Sequence, residues 1–171
     1  GAALNQAMAS AVNMLDDVHG GAGEQAVELF RRMDASGDLA REVSLWRKAK
    51  GKYIPGFGHR FHKPADPRAP RLMALVREAA AAGVCDGRFA EIGEAVERHL
   101  AEAACKPVPM NIDGATAVIF AELGFAPPLA RGLFCLSRSV GILAHAWEQT
   151  QQGGRNKGPT PPKYLWTFDK S

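Results

Sequence analysis

The sequence predicts an all-α fold, and three observations lead to that prediction. Apolar residues recur at helical spacing through most of the 171 residues. Glycines, prolines and capping residues separate these segments. No run alternates apolar and polar residues as a half-buried strand would. The composition, 46% hydrophobic and 23% charged, is ordinary for a globular protein with a core.

Seven segments carry the helical pattern. Their expected bounds are residues 3–16, 23–37, 38–51, 71–83, 88–105, 114–124 and 127–152. Gly37 is expected to end the second helix as a C-cap, and Asp38 to start the third as its N-cap. Pro70 fits the first turn of the fourth helix, where its missing N–H costs nothing.

The later helices differ in how much of their surface is apolar. The fifth carries one apolar stripe, which consists of Phe89, Ile92, Val96 and Leu100. The seventh is nearly all apolar on one face, which predicts that it is buried. Within it, His145 is expected to be a satisfied core histidine, whereas the charge of Arg138 requires a partner or a ligand.

The segment 53–71, YIPGFGHRFHKPADPRAPR, breaks the helical pattern with four prolines and two glycines. Residues 47–77 hold nine Lys or Arg and one acid, Asp66, so their net charge is 9 − 1 = +8, against +3 for the chain. A rigid basic loop whose main-chain N–H groups a ligand can approach favours a polyanion such as a nucleotide phosphate. A solvated basic face is the alternative.

Other features narrow the class of protein. No nucleic-acid module surrounds the basic loop, so nucleic acid is not predicted as a partner. No apolar run reaches the roughly 20 residues of a membrane span, so a membrane is not predicted either. Three cysteines lie too far apart for a zinc motif or a disulfide framework, which indicates reduced thiols in a cytoplasmic protein.

Three segments place titratable groups where helices break. His19, between the first two helices, tends to stay neutral near a helix N-terminus; a plain turn residue is the alternative. His59 follows two glycines and can project into a cleft, and Arg68 suits carboxylate recognition. Asp113 is either a carboxylate base in a semi-apolar cleft or a plain N-cap.

A metal site is the alternative role for the histidines of the basic loop. His59, His62 and Asp66 are possible ligands by type, but they lack a fourth partner, so no metal is predicted. His62 is then expected to be a surface residue.

Four segments, in order along the chain, resemble the citrate synthase family. PGFGHRFHKPADPR (55–68) is similar to the family signature, approximately G-[FY]-G-H-x-[VYL]-x-K-x-x-D-P-R. HGGAGE (19–24), NIDGATA (111–117) and LSRSVGILAHAWEQ (136–149) resemble its upstream histidine, catalytic aspartate and late arginine motifs. The resemblance spans essentially the whole chain.

The resemblance implies an all-α architecture with a large and a small helical domain around an active-site cleft. Residues 21–112 would form the small, CoA-binding domain, and residues 1–20 and 113–171 would belong to the large domain. Only 18 residues precede His19, so the large domain is expected to be incomplete in this chain.

The resemblance also implies roles for individual residues. Asp113 would remove a methyl proton from acetyl-CoA, His19 would stabilise the enol, and His59 would polarise the keto carbonyl of oxaloacetate. Arg68 and Arg138 would bind substrate carboxylates. The CoA-binding residues implied are Lys52, Pro55, Gly56, Phe57, Gly58 and Lys63.

By the same resemblance, the chain would make or break the C–C bond between acetyl-CoA and oxaloacetate. CoA would be a substrate and not a tightly bound cofactor, and oxaloacetate or citrate would be the second ligand. The protein would assemble as a homodimer or higher homo-oligomer. The alternatives are citryl-CoA cleavage, 2-methylcitrate synthesis, and a non-catalytic CoA-binding paralogue.

Some residues depart from the family pattern. NIDG is more like the citryl-CoA lyase branch than the usual VDFYSG form. Pro161 stands where a cross-subunit arginine is common, and Arg155, Lys157 or Lys163 would have to replace that arginine. Gly23 stands in place of Asn, and His62 in place of Tyr or Leu.

Overall fold

A computed structural model gives the fold of this chain and describes residues 2–62 and 64–152. Those residues form seven α-helices, and every predicted helix is confirmed to within three residues at each end. They are α1 (Leu4–Asn13), α2 (Ala22–Ser36), α3 (Leu39–Lys50), α4 (Arg68–Ala81), α5 (Arg88–Ala104), α6 (Ile112–Glu122) and α7 (Pro127–Gln151). In this part of the chain the one β-type contact is an isolated antiparallel bridge between Phe57 and Met110.

The predicted helix ends follow from local chemistry. Gly37 ends α2 in the left-handed region at φ 67°, where a side chain would be strained. Asp38 accepts a hydrogen bond from the Arg41 amide at 3.0 Å and so caps α3. Pro70 is the third residue of α4, inside its first turn. These three predictions are therefore confirmed.

Helix α2 is the centre of the fold. It packs against α3, α5, α6 and α7, while α1 packs against α7. The apolar face of α2 is fully buried, through Val27, Leu29 and Phe30. The stripe predicted on α5 faces this core, since Val96 is 0% and Leu100 2% exposed. Burial of this kind contributes about 1.5–3 kcal/mol for each large apolar side chain.

Two predictions about α7 are wrong. The helix is not buried, because α1 and α2 cover one side of it and the other side has no partner within residues 2–62 and 64–152. Leu136 is 67% and Val140 72% exposed. His145 is likewise exposed and lies 3.5 Å from the Glu148 carboxylate instead of sitting in the core. In the described part of the chain, no helix combines the length and the hydropathy that crossing a bilayer requires.

Glu122, at the end of α6, caps the start of α5. Its carboxylate accepts hydrogen bonds from the amides of Gly87 (3.0 Å), Phe89 (2.7 Å) and Ala90 (3.2 Å). These amides have no partner within their own helix, and the residue before α5 is a glycine without a capping side chain. The Glu122 carboxylate therefore joins α6 to α5 by accepting from the unpaired amides at the start of α5.

Glu122→Ala is expected to lower the free energy of unfolding by about 1–2 kcal/mol, the range of a lost helix cap. Denaturant titration followed by far-UV circular dichroism measures the change. Glu102→Ala, which removes an exposed glutamate from α5, should change the same quantity by less than about 0.5 kcal/mol. Equal effects of the two variants would contradict the capping role.

Candidate active site

The loop that carries His59 runs beside the segment leading into α6. The Gly58 amide donates to the Pro109 carbonyl at 2.7 Å, and the Asn111 amide donates to the Gly56 carbonyl at 2.9 Å. The Asn111 side chain donates to the Gly58 carbonyl at 2.6 Å. This short ladder fixes the loop against the start of α6.

Asn111 also caps α6. Its side-chain oxygen accepts from the amides of Asp113 (2.9 Å) and Gly114 (3.1 Å). The alternative that Asp113 is a plain N-cap is therefore wrong, because Asn111 takes that role and Asp113 is the second residue of the helix. The Asp113 carboxylate is consequently not needed to cap its own helix.

Two glycines allow the loop and α6 to touch. Gly56 adopts φ +86°, and a Cβ built on it would lie 2.7 Å from the Gly114 Cα. A Cβ on Gly114 would lie 2.3 Å from the Gly56 carbonyl oxygen, much closer than real contacts allow. The backbone contact thus requires glycine at both positions.

Gly114→Ala is expected to destabilise the fold by about 1–3 kcal/mol, as overpacking of a tight site does, and to displace the loop from α6. Thermal unfolding measures the first effect, and amide hydrogen exchange of residues 56–59 measures the second. Gly132→Ala is the matched control, because a Cβ there meets open space within a helix. That variant should be neutral or stabilising by up to about 1 kcal/mol.

Asp113 lies half-buried at the start of α6. Burial raises the pKa of its carboxyl above the ordinary value of 3.8, and the charge of Asp66 acts in the same direction. The charges of Arg68 and Arg138, and that of His59 when its ring is protonated, act the opposite way. The structure therefore brings these four predicted residues (His59, Arg68, Asp113 and Arg138) to one place, on the loop, α4, α6 and α7.

Asp66, a residue that the sequence analysis considered only as a metal ligand, organises this group. Its side chain is fully buried and accepts from Arg68 at Nε (2.9 Å), at Nη2 (2.8 Å) and at the amide, and from the Ile112 amide (3.0 Å). The hydrogen bonds from the Arg68 side chain hold the pKa of Asp66 well below its usual range. Since both carboxylate oxygens are taken, the donor set does not favour a metal here.

His59 is held in one orientation by the turn that follows it. Its Nδ1 accepts from the amides of Phe61 (3.0 Å) and His62 (2.9 Å). A ring nitrogen that accepts N–H bonds carries no proton, so the neutral ring has its proton on Nε2. The Nε2–H is then the donor that remains for a ligand.

His19 lies at the predicted junction, in the exposed turn between α1 and α2, without a described contact to the other four residues. Asp16 holds this turn by accepting from the amides of Val18 (2.8 Å) and His19 (3.0 Å). Arg131 of α7 binds both Asp17 of the turn and Glu24 of α2. The turn is thus tied to α7 as well as to α2.

The candidate CoA-binding loop differs from expectation in its backbone. The amides of Phe57 and Gly58 already donate to the carbonyls of Ile54 (3.3 Å) and Pro109 (2.7 Å), so they are not available to a phosphate. The Phe57 ring packs edge-on against Phe30 of the core, with centroids 6.2 Å apart. The loop can therefore offer its surface and its side chains, but not these two amides, to a ligand.

Basic side chains remain available near the loop. Five exposed ones have no ion-pair partner within residues 2–62 and 64–152: Arg47, Lys48, Lys50, Lys52 and Arg60. We call them the basic patch. The predicted residue Lys63 lies outside the described residues, as do Pro161, Arg155, Lys157 and Lys163 of the tail.

Arg138 projects from the exposed side of α7. Its guanidinium stacks on the Phe134 ring, with Cζ 5.4 Å from the ring centroid, and it has no acidic partner in the described part of the chain. Among the described residues, this ring and the charge of Asp113 are what partner the Arg138 guanidinium.

Sequence reasoning missed the supporting residues Asp66, Asn111 and Arg131. An Asn two residues before Asp113, ahead of a helix, is a capping signal that could have identified Asn111. The contacts of Asp66 with Ile112 and of Arg131 with Glu24 join distant parts of the chain, and no local pattern predicts them.

Comparisons with known proteins identify the family to which this sequence is similar. The chain is 34% identical over 167 residues to a citrate synthase from Heyndrickxia coagulans, covering 96% of this chain and 42% of that protein. It is 33% identical over 132 residues to a 2-methylcitrate synthase from Shewanella oneidensis, covering 77% of this chain and 34% of that protein. It therefore spans less than half the length of these curated relatives.

A solved structure of citryl-CoA lyase from Hydrogenobacter thermophilus matches all of this chain and 65% of its own, with a TM-score of 0.83 and 30% identity. The family model described as "Citrate synthase, C-terminal domain" matches residues 1–159. The four motifs, the seven helices and these matches lead to one conclusion: the chain belongs to the citrate synthase family.

Proposed function

We propose that this chain carries an active site that makes or breaks the C–C bond between the acetyl group of acetyl-CoA and oxaloacetate. The observation that carries the proposal is the environment of Asp113, a half-buried carboxylate of raised pKa with Arg68, His59 and Arg138 around it. A base, a hydrogen-bond donor and two cations in one place suit an enol(ate) reaction between an acyl thioester and an oxo acid.

Asp113 is the proposed base. A thioester α-proton is a weak acid, and a base works best when its pKa is raised towards the working pH, as burial does here. The enolate that forms requires a preorganised donor, and His19 is proposed to supply it. Because His19 has no described contact with Asp113, closure of the cleft around substrate is proposed to bring it into reach.

His59 and the arginines are proposed to hold the oxo acid. The Nε2–H of His59 would donate to the keto oxygen and transfer its proton as the C–C bond forms. Arg68 uses two side-chain donors on Asp66 and keeps the others for a substrate carboxylate, since its side chain is 47% exposed. Arg138 would bind a second carboxylate from the α7 side.

The basic patch, Lys63 and the loop 55–58 are proposed to hold CoA. The patch supplies the positive charge that its phosphates require. We further propose that residues 21–112 form the small, CoA-binding domain and that residues 1–20 and 113–171 belong to the large domain. The protein is also proposed to be cytoplasmic and to work as a homodimer or higher homo-oligomer.

The direction of the reaction is tested separately. The first assay follows free thiol release from acetyl-CoA with oxaloacetate, and the second follows acetyl-CoA formation from citryl-CoA, both with the full natural protein. The NIDG motif and the likeness to citryl-CoA lyase favour cleavage, which the second assay detects. Propionyl-CoA in the first assay tests for 2-methylcitrate synthesis, the activity for which one relative is named.

The competing function is a CoA-binding protein without catalysis. It predicts binding of CoA by calorimetry with no turnover in either direction. That result would overturn the enzyme proposal, whereas thiol release or acetyl-CoA formation above the rate without protein would support it.

A further inference from the structure

His62 has no role in the proposed reaction, yet its ring lies directly against that of His59. The ring centroids are 4.4 Å apart and the planes are tilted by 40°. Its neighbours Arg60 and Phe61 are exposed, whereas His62 is half-buried. His62 is therefore a partly covered surface residue whose ring contacts His59.

Contact at this distance restricts the His59 ring. Aromatic pairs attract at centroid separations of roughly 4.5–7 Å, so these two rings are as close as such pairs come. The amides of Phe61 and His62 donate to Nδ1 and so hold that edge of the ring. The neighbouring His62 ring opposes rotation of the His59 ring away from these two amides and keeps water from one side of it.

We propose that His62 is a positioning residue that holds the His59 imidazole in its Nε2–H form and orientation by packing against its face. The role deepens the proposed function, on which its kinetic consequence rests. The packing itself rests only on the geometry of the turn. His62 does not contact the reacting atoms in this account; it acts through His59.

Two substitutions at His62 distinguish the packing of its ring from the chemistry of its imidazole. His62→Ala removes the packed ring, and we expect kcat to fall about tenfold, within the effect of a small misplacement of a reacting group. The KM for acetyl-CoA should stay within about twofold, because His59 is proposed to act on the oxo acid. His62→Phe keeps a flat ring and should recover most of kcat. His99→Gln, on α5, is the control for a histidine outside this group.

Nuclear magnetic resonance of protein labelled with ¹⁵N-histidine tests the packing without turnover. In the wild-type chain and in His62→Phe, His59 should show one protonated nitrogen, Nε2, and one bare nitrogen, Nδ1. In His62→Ala the His59 signals should average between the two tautomers. Thermal unfolding of each variant confirms that the fold persists, and His62→Leu serves if the alanine variant does not fold.

The outcomes separate the two proposals. A His59 signal that keeps one tautomer in His62→Ala overturns the positioning role, whatever the activity does. Equal loss of kcat in His62→Phe and His62→Ala also overturns it, because a flat ring would then not be sufficient. Absence of turnover in the wild-type chain overturns the proposed function instead and leaves the resonance test standing.

Discussion

Asp113→Asn is expected to remove nearly all turnover while leaving CoA binding nearly intact. The substitution keeps the shape of the side chain but removes the proposed base, and a positioned general base contributes about 10²–10⁴-fold to the rate. We expect kcat to fall by about 10³-fold. Steady-state thiol release measures this loss, and calorimetry with CoA measures binding.

The same variant should be more stable than the wild type at neutral pH. Because burial raises the pKa of Asp113 above its unfolded value, the folded state favours the protonated carboxyl. The stabilisation from that carboxyl is complete below the unfolded pKa and is lost as the pH rises through the folded one. At pH 7 the carboxylate therefore opposes folding, and the neutral amide of Asn relieves it.

Asp38→Asn is the matched control for both effects. Asp38 caps α3, a role that Asn fills about as well, and it lies outside the proposed site. Turnover and unfolding temperature should both stay close to wild type. Activity that survives in Asp113→Asn would show that another group is the base, and a lower unfolding temperature would show that the carboxylate stabilises the fold.

The helices could be predicted because their signals are local. Gly37 and Asp38 mark helix ends through their own backbone and side-chain chemistry, so the sequence near them is sufficient. Burial of α7 was predicted wrongly because an apolar face shows that a helix can pack against others, but it does not show whether other helices cover it. The exposure of Leu136 and Val140 depends on which helices reach α7.

The candidate site also has a part that the sequence predicts and a part that it does not. His59, Arg68, Asp113 and Arg138 were identified from motifs, and the structure brings them together. What holds them could not be predicted, because it depends on contacts between distant segments. Asp66 reaches Ile112, 46 residues further along the chain. Two of the loop amides that were expected to face a ligand, those of Phe57 and Gly58, donate to backbone carbonyls instead.

Asp66→Asn tests the most important of these contacts. One carboxylate oxygen accepts from Arg68 alone, and the other accepts from Arg68 and from the Ile112 amide, beside Asp113. An amide group would turn two donors towards one of these positions, where only an acceptor fits. We expect the free energy of unfolding to fall by about 3 kcal/mol, since a fully buried charge partner is lost.

This loss should depend on pH in a defined way. Because the pKa of Asp66 lies well below 3.8, the carboxylate stabilises the fold throughout the range above the unfolded value. Its contribution disappears only as the pH falls through the folded pKa. The difference between wild type and Asp66→Asn should thus stay constant from about pH 8 to about pH 4 and shrink in more acidic solution.

The control compares a buried acid with an exposed one. Glu78 lies 3.6 Å from Arg71, and both side chains are more than 60% exposed. Glu78→Gln should therefore change stability by less than about 1 kcal/mol, as exposed ion pairs do. Asp66→Asn should also raise the KM for oxaloacetate, because Arg68 would lose its orientation, whereas Glu78→Gln should not. If both variants behaved alike, Asp66 would not be what positions Arg68 against the helix that carries Asp113.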